Sequence, residues 1–223
     1  ILFIDEENSF INTEEFAATV KGSDNYFVLI TRENLYNLPY SVEEIYGLRS
    51  SGKYQNTRKV YQQTYQIYSR VQQFPVKPKK LLLEDSNSGY EFFKAVSEAA
   101  GRECQSAGGK SNLLKALKDT EPEEICVIAD GAAIGPEMNG LYQKIQKNPN
   151  IKLYLPESFE WIILNARILE EKEIQEILQN PEVYIDSKEY FSWERYFTKL
   201  LIEKTEGTYL QYKKATLNET YLH

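Results

Sequence analysis

The stretch ICVIAD, at residues 125–130, decides the fold. Five apolar or small residues run without interruption into a single acid, Asp130. An apolar run without alternation is typical of a strand that is covered on both faces in a parallel sheet. The stretch therefore predicts an α/β domain that contains a buried strand at residues 125–129, with Asp130 at its carboxyl end.

The segments around this strand alternate between short apolar runs and amphipathic stretches. Strands are predicted at 81–83, 103–106, 125–129 and 151–155, and helices at 90–100, 112–118, 136–147 and 159–169. On the first helix, which Gly101 would end, the residues expected to face inward are Phe92, Phe93, Val96 and Ala100. The alternation predicts an α/β domain at residues 77–169: a four-stranded, mainly parallel sheet flanked by helices.

The flanking segments are of two kinds. Residues 1–74 predict part of a further α/β unit, with a strand at 1–4, a helix at 13–21 and a second strand at 26–30. Within this segment, residues 35–54 predict a loop with at most a short helix at 42–46. Residues 59–71 fit either a helix or an edge strand. Residues 170–223 predict a helical extension with helices at 171–178 and 192–204. Because the chain opens at Ile1 within an apolar run, we expect it to be a fragment.

Composition excludes several kinds of chemistry. The only histidine is His223, and Cys104 and Cys126 lack the short spacing of a zinc or redox pair, so both are expected to be buried thiols. Catalysis would have to use carboxylates, lysine, serine or a metal ion. No apolar run approaches the roughly 18 residues that span a bilayer, which predicts no membrane partner and a cytoplasmic location. The net charge of −7 does not favour a broad phosphate-binding surface.

Acidic residues follow three of the four predicted strands. Glu84 and Asp85 come after the first, Asp130 after the third and Glu157 after the fourth. Parallel strands end at one edge of the sheet, where ligands bind in open α/β folds. Carboxylates brought together there repel one another unless a divalent cation neutralises them, which predicts Mg²⁺ or Mn²⁺. The alternative is that each acid only caps the helix that follows it.

The ordered set of motifs resembles a Toprim domain, and in particular that of the overcoming-lysogenization-defect ATPase-nucleases. LLLE at 81–84 resembles the first Toprim motif, GGKSNL at 108–113 the glycine-lysine turn after the second strand, and PESFE at 156–160 the acidic helix start after the fourth. Asp130 stands where the Asp-x-Asp motif begins. The second aspartate is replaced by Ala132, so either Asp85, Glu137 or Glu157 substitutes for it or the nuclease chemistry is lost.

The resemblance implies roles for individual residues. Glu84 would act near the general base or a second metal, and Asp130 would hold the metal that stabilises the phosphoryl transition state. Lys110 would contact phosphate, unless it is a solvated turn lysine. The implied metal ligands are Glu84, Asp85, Asp130 and Glu157, and the implied partner is nucleic acid.

Two further segments resemble nucleotide-binding motifs. Residues 104–111 end in Gly-Lys-Ser like a P-loop, but Cys104 occupies the position of the required first glycine. ILFIDE, at residues 1–6, resembles the Walker B strand of a P-loop ATPase, in which Asp5 would hold Mg²⁺ through water and Glu6 would orient the attacking water. ATP is an expected cofactor only if the missing N-terminal part is present.

Three functions are consistent with the sequence. The first is a metal-dependent nuclease module joined to an incomplete P-loop ATPase segment, as in mobile elements and phages. The second is a catalytically degenerate Toprim-like regulator or scaffold. The third is a receiver-type domain, which Glu84, Asp85 and Asp130 fit in part. The aromatic residues of 184–197 suggest a packing surface that is either internal or a contact between copies of the chain.

Overall fold

A computed structural model of the chain describes residues 1–5, 9–51, 60–68, 77–118, 124–185 and 189–223. The strands and α-helices, in chain order, are β1 (Leu2–Ile4), α1 (Glu14–Gly22), β2 (Phe27–Leu29), β3 (Tyr46–Ser51), β4 (Val60–Gln66), β5 (Lys80–Leu83), α2 (Ser88–Ala99), β6 (Glu103–Ser106), α3 (Leu113–Ala116), β7 (Ile125–Ile128), α4 (Met138–Lys147), β8 (Ile151–Tyr154), α5 (Phe159–Asn165), α6 (Lys172–Gln179), α7 (Pro181–Ile185) and α8 (Trp193–Thr205).

The central feature is a four-stranded sheet in the order β6-β5-β7-β8, in which all neighbouring strands are parallel. All four residues of β7 are buried, as its uninterrupted apolar sequence predicts. Helices flank the sheet, so the predicted α/β class with a four-stranded parallel sheet is confirmed. β5 and β7 lie side by side in the middle, with Leu83 opposite Ile128, which brings the residues that follow these two strands together.

Helix α2 packs with only part of the predicted face: Phe92 and Phe93 pack against buried clusters as expected, but Val96 and Ala100 do not. Val96 is 49% exposed and Ala100 is also exposed, whereas Ser97 is buried. The small side chains of Ser97 and, at the start of the helix, Gly89 let the backbone of α2 approach its neighbours closely. Gly101 ends the helix with a φ of +66°, as predicted.

The C-terminal helices share a core with the sheet domain. Apolar side chains of α5, α6 and α8 form one buried cluster, to which Leu210, Tyr212 and Tyr221 also belong. Phe197 is fully buried in it, so the aromatic density of this segment serves internal packing. Helix α7 was not predicted.

The first 68 residues contain two small sheets. β1 and β2 pair in parallel, and α1 covers one side of them through Phe16 and Ala17. β4 resolves the open choice at 59–71 in favour of a strand, and it pairs antiparallel with β3, where a loop was predicted. That prediction was wrong because Gly47 was taken as a turn signal. Gly47 instead lies under the ring of Tyr65 on the partner strand, where an added Cβ would lie 2.5 Å from the ring.

Within the described ranges, no helix is both long enough and apolar enough to cross a membrane.

Candidate functional site

A cleft of about 500 Å³ opens at the carboxyl edge of the four-stranded sheet. The connections after β5, β6 and β7 and the first turn of α5 form its floor, and Pro39, the start of α8 and the segment after α8 form its walls. The charged residues that line it are Glu84, Asp85, Lys110, Asp130, Glu160, Glu194, Arg195 and Lys214. The expectation that the strand ends meet at one edge is therefore met for Glu84, Asp85, Lys110 and Asp130.

Glu157, Asp5 and Glu6 do not join this group. Glu157 is buried outside the cleft, and Glu160, one helical turn further along, lines it instead. The cause is the helix start: Ser158 caps α5 by accepting a hydrogen bond from the Trp161 backbone N–H, and this turns Glu160 towards the cleft. Asp5 is exposed beyond β1, and Glu6 lies outside the described residues.

Of the acidic residues that line the cleft, Glu84 and Asp130 lie nearest the sheet. They follow the neighbouring strands β5 and β7, and the Asp130 backbone N–H donates a hydrogen bond to the Glu84 carboxylate. Burial raises the pKa of Asp130 well above its ordinary value, and the carboxylates of Glu194, Glu84 and Glu160 raise it further. Burial, Glu194 and Asp85 likewise raise the pKa of Glu84. A cation placed between Glu84 and Asp130 would relieve this repulsion.

Glu160 is held in a buried network. Its Oε1 accepts a hydrogen bond of 2.8 Å from the Tyr212 hydroxyl and lies 3.0 Å from the Thr198 hydroxyl. The Tyr212 hydroxyl is in turn 2.9 Å from the hydroxyl of Ser88 at the start of α2. The network connects α2, α5, α8 and the C-terminal segment around a single carboxylate, so it fixes the far wall of the cleft.

Lys214 brings a positive charge into the acidic cluster. Its ammonium forms an ion pair with Glu194. Burial alone would lower the pKa of Lys214, but the carboxylates of Glu160, Glu194 and Asp130 outweigh burial and raise it above its ordinary value. Lys214 therefore remains charged at neutral pH and partly neutralises the acids that face it.

Lys110 reaches across the cleft from the turn after β6. Gly108 and Gly109 adopt positive φ angles of +72° and +116°, a region that favours glycine, and this turns the chain so that the Lys110 ammonium donates to the Ala133 carbonyl at 3.1 Å. This bond ties the lysine to the loop that carries Asp130. Lys110 is therefore half-buried at the cleft and held by a backbone contact.

Of the three residues that could substitute for the missing second aspartate, Asp85 lines the cleft, and Glu137 and Glu157 do not. Ala132 is buried, with its backbone N–H bonded to the Glu157 carbonyl at 3.2 Å. Glu137 is buried and does not line the cleft. The Asp85 Oδ1 accepts backbone hydrogen bonds from Ser86 and Asn87 at 2.7 and 3.0 Å, so it stabilises the turn before α2 and does not cap the helix itself.

The donor set fits one mode of metal binding. No group of three or more His, Cys, Asp and Glu side chains that could hold a metal ion is found in the part of the chain that the structure describes. Mg²⁺, however, usually takes only one or two protein carboxylates and completes its shell with water and substrate phosphate. Glu84 and Asp130 suit that mode, whereas an all-protein cage is not formed.

Several residues of the cleft carried no signal in the sequence. Glu194, Arg195, Tyr212 and Lys214 follow the sheet domain by tens of residues and belong to segments with ordinary helical or turn composition. The packing of α8 against α5, and the hydrogen bonds of the C-terminal segment to α2, bring them to the strand ends. Comparisons of the chain with protein-family models, with curated proteins and with solved structures found no match.

The acidic cluster predicts how stability depends on pH in metal-free buffer. Asp130 and Glu84 bind a proton more tightly in the folded than in the unfolded chain, whose ordinary values are near 3.8 and 4.5. The contribution of these two protonated groups to the free energy of unfolding is therefore complete below those values. It is lost as pH rises through the raised pKa values of the folded state. The free energy of unfolding, measured by urea titration with a chelator present, should rise as pH is lowered from 8 towards 5. Asp130→Asn should flatten this dependence; an equal slope in both proteins would contradict it.

Proposed function

We propose that the sheet domain and the C-terminal helices form a Toprim-like, Mg²⁺- or Mn²⁺-dependent nuclease module, joined to an incomplete P-loop ATPase segment. The observation that carries this proposal is the Glu84–Asp130 pair. The two carboxylates meet at the carboxyl edge of the parallel sheet, repel each other and lie beside basic side chains in one cleft. Phosphodiester chemistry assisted by a divalent cation requires this combination of charges.

Glu84 and Asp130 would hold the cation, which when bound would neutralise charge on a phosphoryl group. Lys110 and Lys214, on opposite sides of the cleft, would bind and orient that phosphate. The resemblance would also place Glu84 near the water that attacks the phosphoryl group. The cleft walls would limit the access of bulk water.

The N-terminal unit supports the ATPase part of the proposal at one point. β1 and β2 are parallel neighbours, and Asp5 directly follows β1, which is where a Walker B aspartate stands relative to its strand. ATP would bind only with the remaining part of such a domain present, since no phosphate-binding loop is evident in this sequence.

A specific observation favours the second candidate, a catalytically degenerate regulatory or scaffold domain. The Lys214 ammonium already compensates Glu160, Glu194 and Asp130, and Ala132 removes one expected ligand. In such a domain Lys214 would permanently take the place of a metal ion. The two candidates differ in whether a divalent cation is needed for anything the domain does.

The experiment that tests the proposal is cleavage of an end-labelled oligonucleotide. With millimolar Mg²⁺ or Mn²⁺ the protein is expected to shorten the oligonucleotide, and an excess of chelator should stop the reaction. If neither divalent cation produces cleavage, the degenerate domain is favoured. If cleavage persists in the chelator, a contaminating enzyme is the cause, and the Asp130→Asn protein, purified in parallel, should then show the same cleavage.

A further inference from the structure

We propose that the cleft accepts one nucleotide of a single strand or of a free strand end, and excludes an uninterrupted duplex. This inference rests on the proposed nuclease function and specifies its substrate class. It comes from the size of the cleft, the rigidity of its walls and the arrangement of charged and apolar side chains.

The size of the cleft sets the first limit. The cleft has a volume of about 500 Å³. A duplex, with two backbones and the paired bases between them, is too large to enter a space of that volume, whereas one nucleotide can. The volume is within the range of roughly 300–1,000 Å³ that holds single small ligands.

Both walls are tied to the domain by backbone hydrogen bonds. On the N-terminal side, Pro39 lines the cleft, and the segment that carries it is pinned by the Val42 N–H to the Gly131 carbonyl at 3.0 Å and by the Gly135 N–H to the Tyr40 carbonyl at 3.1 Å. Val42 is fully buried, which anchors this wall in the core. A duplex could not push this wall aside without breaking these contacts.

The opposite wall is anchored in the same way. The Ser88 N–H donates to the Lys214 carbonyl at 3.1 Å, and the Leu217 N–H donates to the Glu91 carboxylate at 2.6 Å. These bonds fasten the C-terminal segment onto α2. The cleft is therefore a built, narrow slot between two fixed walls and not an open basic surface of the kind that tracks a duplex.

Side-chain chemistry agrees with a single nucleotide. Lys110, Arg195 and Lys214 can meet the phosphates of one strand, whereas the carboxylates across the floor would repel a second backbone. Among the apolar residues of the wall, Pro39 is half-buried and can contact a base, whereas Ala133 and Ile134 are buried in the domain. The slot thus offers one place for a base and one for its phosphates.

The test uses one sequence in three forms: a single strand, a blunt duplex and a duplex closed by hairpin loops at both ends. With Mg²⁺, the single strand is expected to be cut at least about tenfold faster than the closed duplex, because only the former can place a nucleotide in the slot. An RNA single strand of the same sequence shows whether the 2′-hydroxyl matters. The salt dependence of single-strand binding should be shallow, with a slope no steeper than about −2, because only three basic side chains line the slot.

Pro39→Trp is the test variant, and Tyr36→Trp, at an exposed position on the same segment outside the cleft, is its control. The indole at position 39 should fill the slot and weaken single-strand binding at least about tenfold, while the indole at position 36 should change it by less than about threefold, with unchanged thermal midpoints confirming that both fold. If the closed duplex is cut as fast as the single strand, the proposed slot is wrong and the nuclease function stands. If no form is cut or bound with any divalent cation, the nuclease function fails and this inference fails with it.

Discussion

Asp130→Asn is expected to lower divalent-cation-dependent cleavage at least about 100-fold, because loss of even an outer-shell partner of a metal costs roughly 10–100-fold and Asp130 would be a direct ligand. The amide keeps the size of the side chain but removes the charge that a cation requires. The variant should remain folded, since it also removes a buried carboxylate that Glu84, Glu160 and Glu194 repel. The measurement is the initial rate of oligonucleotide cleavage at fixed Mg²⁺.

Glu137→Gln is the matched control for this variant. Glu137 is a buried carboxylate whose pKa is also raised by burial, but it lies outside the cleft. Its neutral variant is expected to cleave at the wild-type rate. Equal losses in the two variants would mean that the effect comes from disturbing buried acids in general, and the assignment of Asp130 as a ligand would then be abandoned.

Phe197→Ala should destabilise the protein by about 3–5 kcal/mol, the cost of truncating a fully buried aromatic side chain. Phe197 is 0% exposed and lies in the cluster that joins α5 to α8. At about 2–4 °C per kcal/mol for a chain of this size, the thermal midpoint should fall by roughly 6–20 °C. Urea titration gives the free energy directly, and the same loss should loosen the wall of the cleft that Glu194 and Arg195 form.

Ile202→Ala is the control on the same helix. Ile202 is 41% exposed, so its truncation should cost less than about 1 kcal/mol. A small effect at both positions would show that the C-terminal helices do not share a core with the sheet domain.

The parts of the fold that the sequence predicts well are those set by local patterns. The apolar run of β7 can be stable only where both faces are covered, so it predicts a buried strand of a parallel sheet without any knowledge of its neighbours. Because parallel strands share an edge, Glu84 and Asp130 could be placed together from the strand ends alone. β3 was missed, and β4 was left open between a helix and an edge strand, because the contact between Gly47 and Tyr65 is made across strands and leaves no pattern within either segment.

For a similar reason, only one side of the candidate site could be predicted from the sequence. The floor of the cleft follows from strand order, whereas its far wall depends on how α8 and the C-terminal segment pack, which no local pattern encodes. The sequence indicated Glu157, and it is Glu160 that lines the cleft. Telling the two apart requires knowing the rotation of α5 about its axis, which is set by the Ser158 cap and by the contact of Glu160 with Tyr212. Lys214, whose charge most alters the electrostatics of the site, lies far from it in sequence and close to it only in the folded chain.

The central claim, that Glu84 and Asp130 together bind a divalent cation, is tested most directly by the thermal midpoint of the wild-type and Asp130→Asn proteins with and without Mg²⁺ or Mn²⁺. A ligand that binds only the folded state at ten times its Kd stabilises it by about 1.4 kcal/mol, or about 3–6 °C here. We expect that rise in the wild-type protein, and we expect Asp130→Asn to begin at a higher midpoint without metal and to show no rise. A wild-type midpoint that neither cation changes, or an equal rise in both proteins, would contradict the claim.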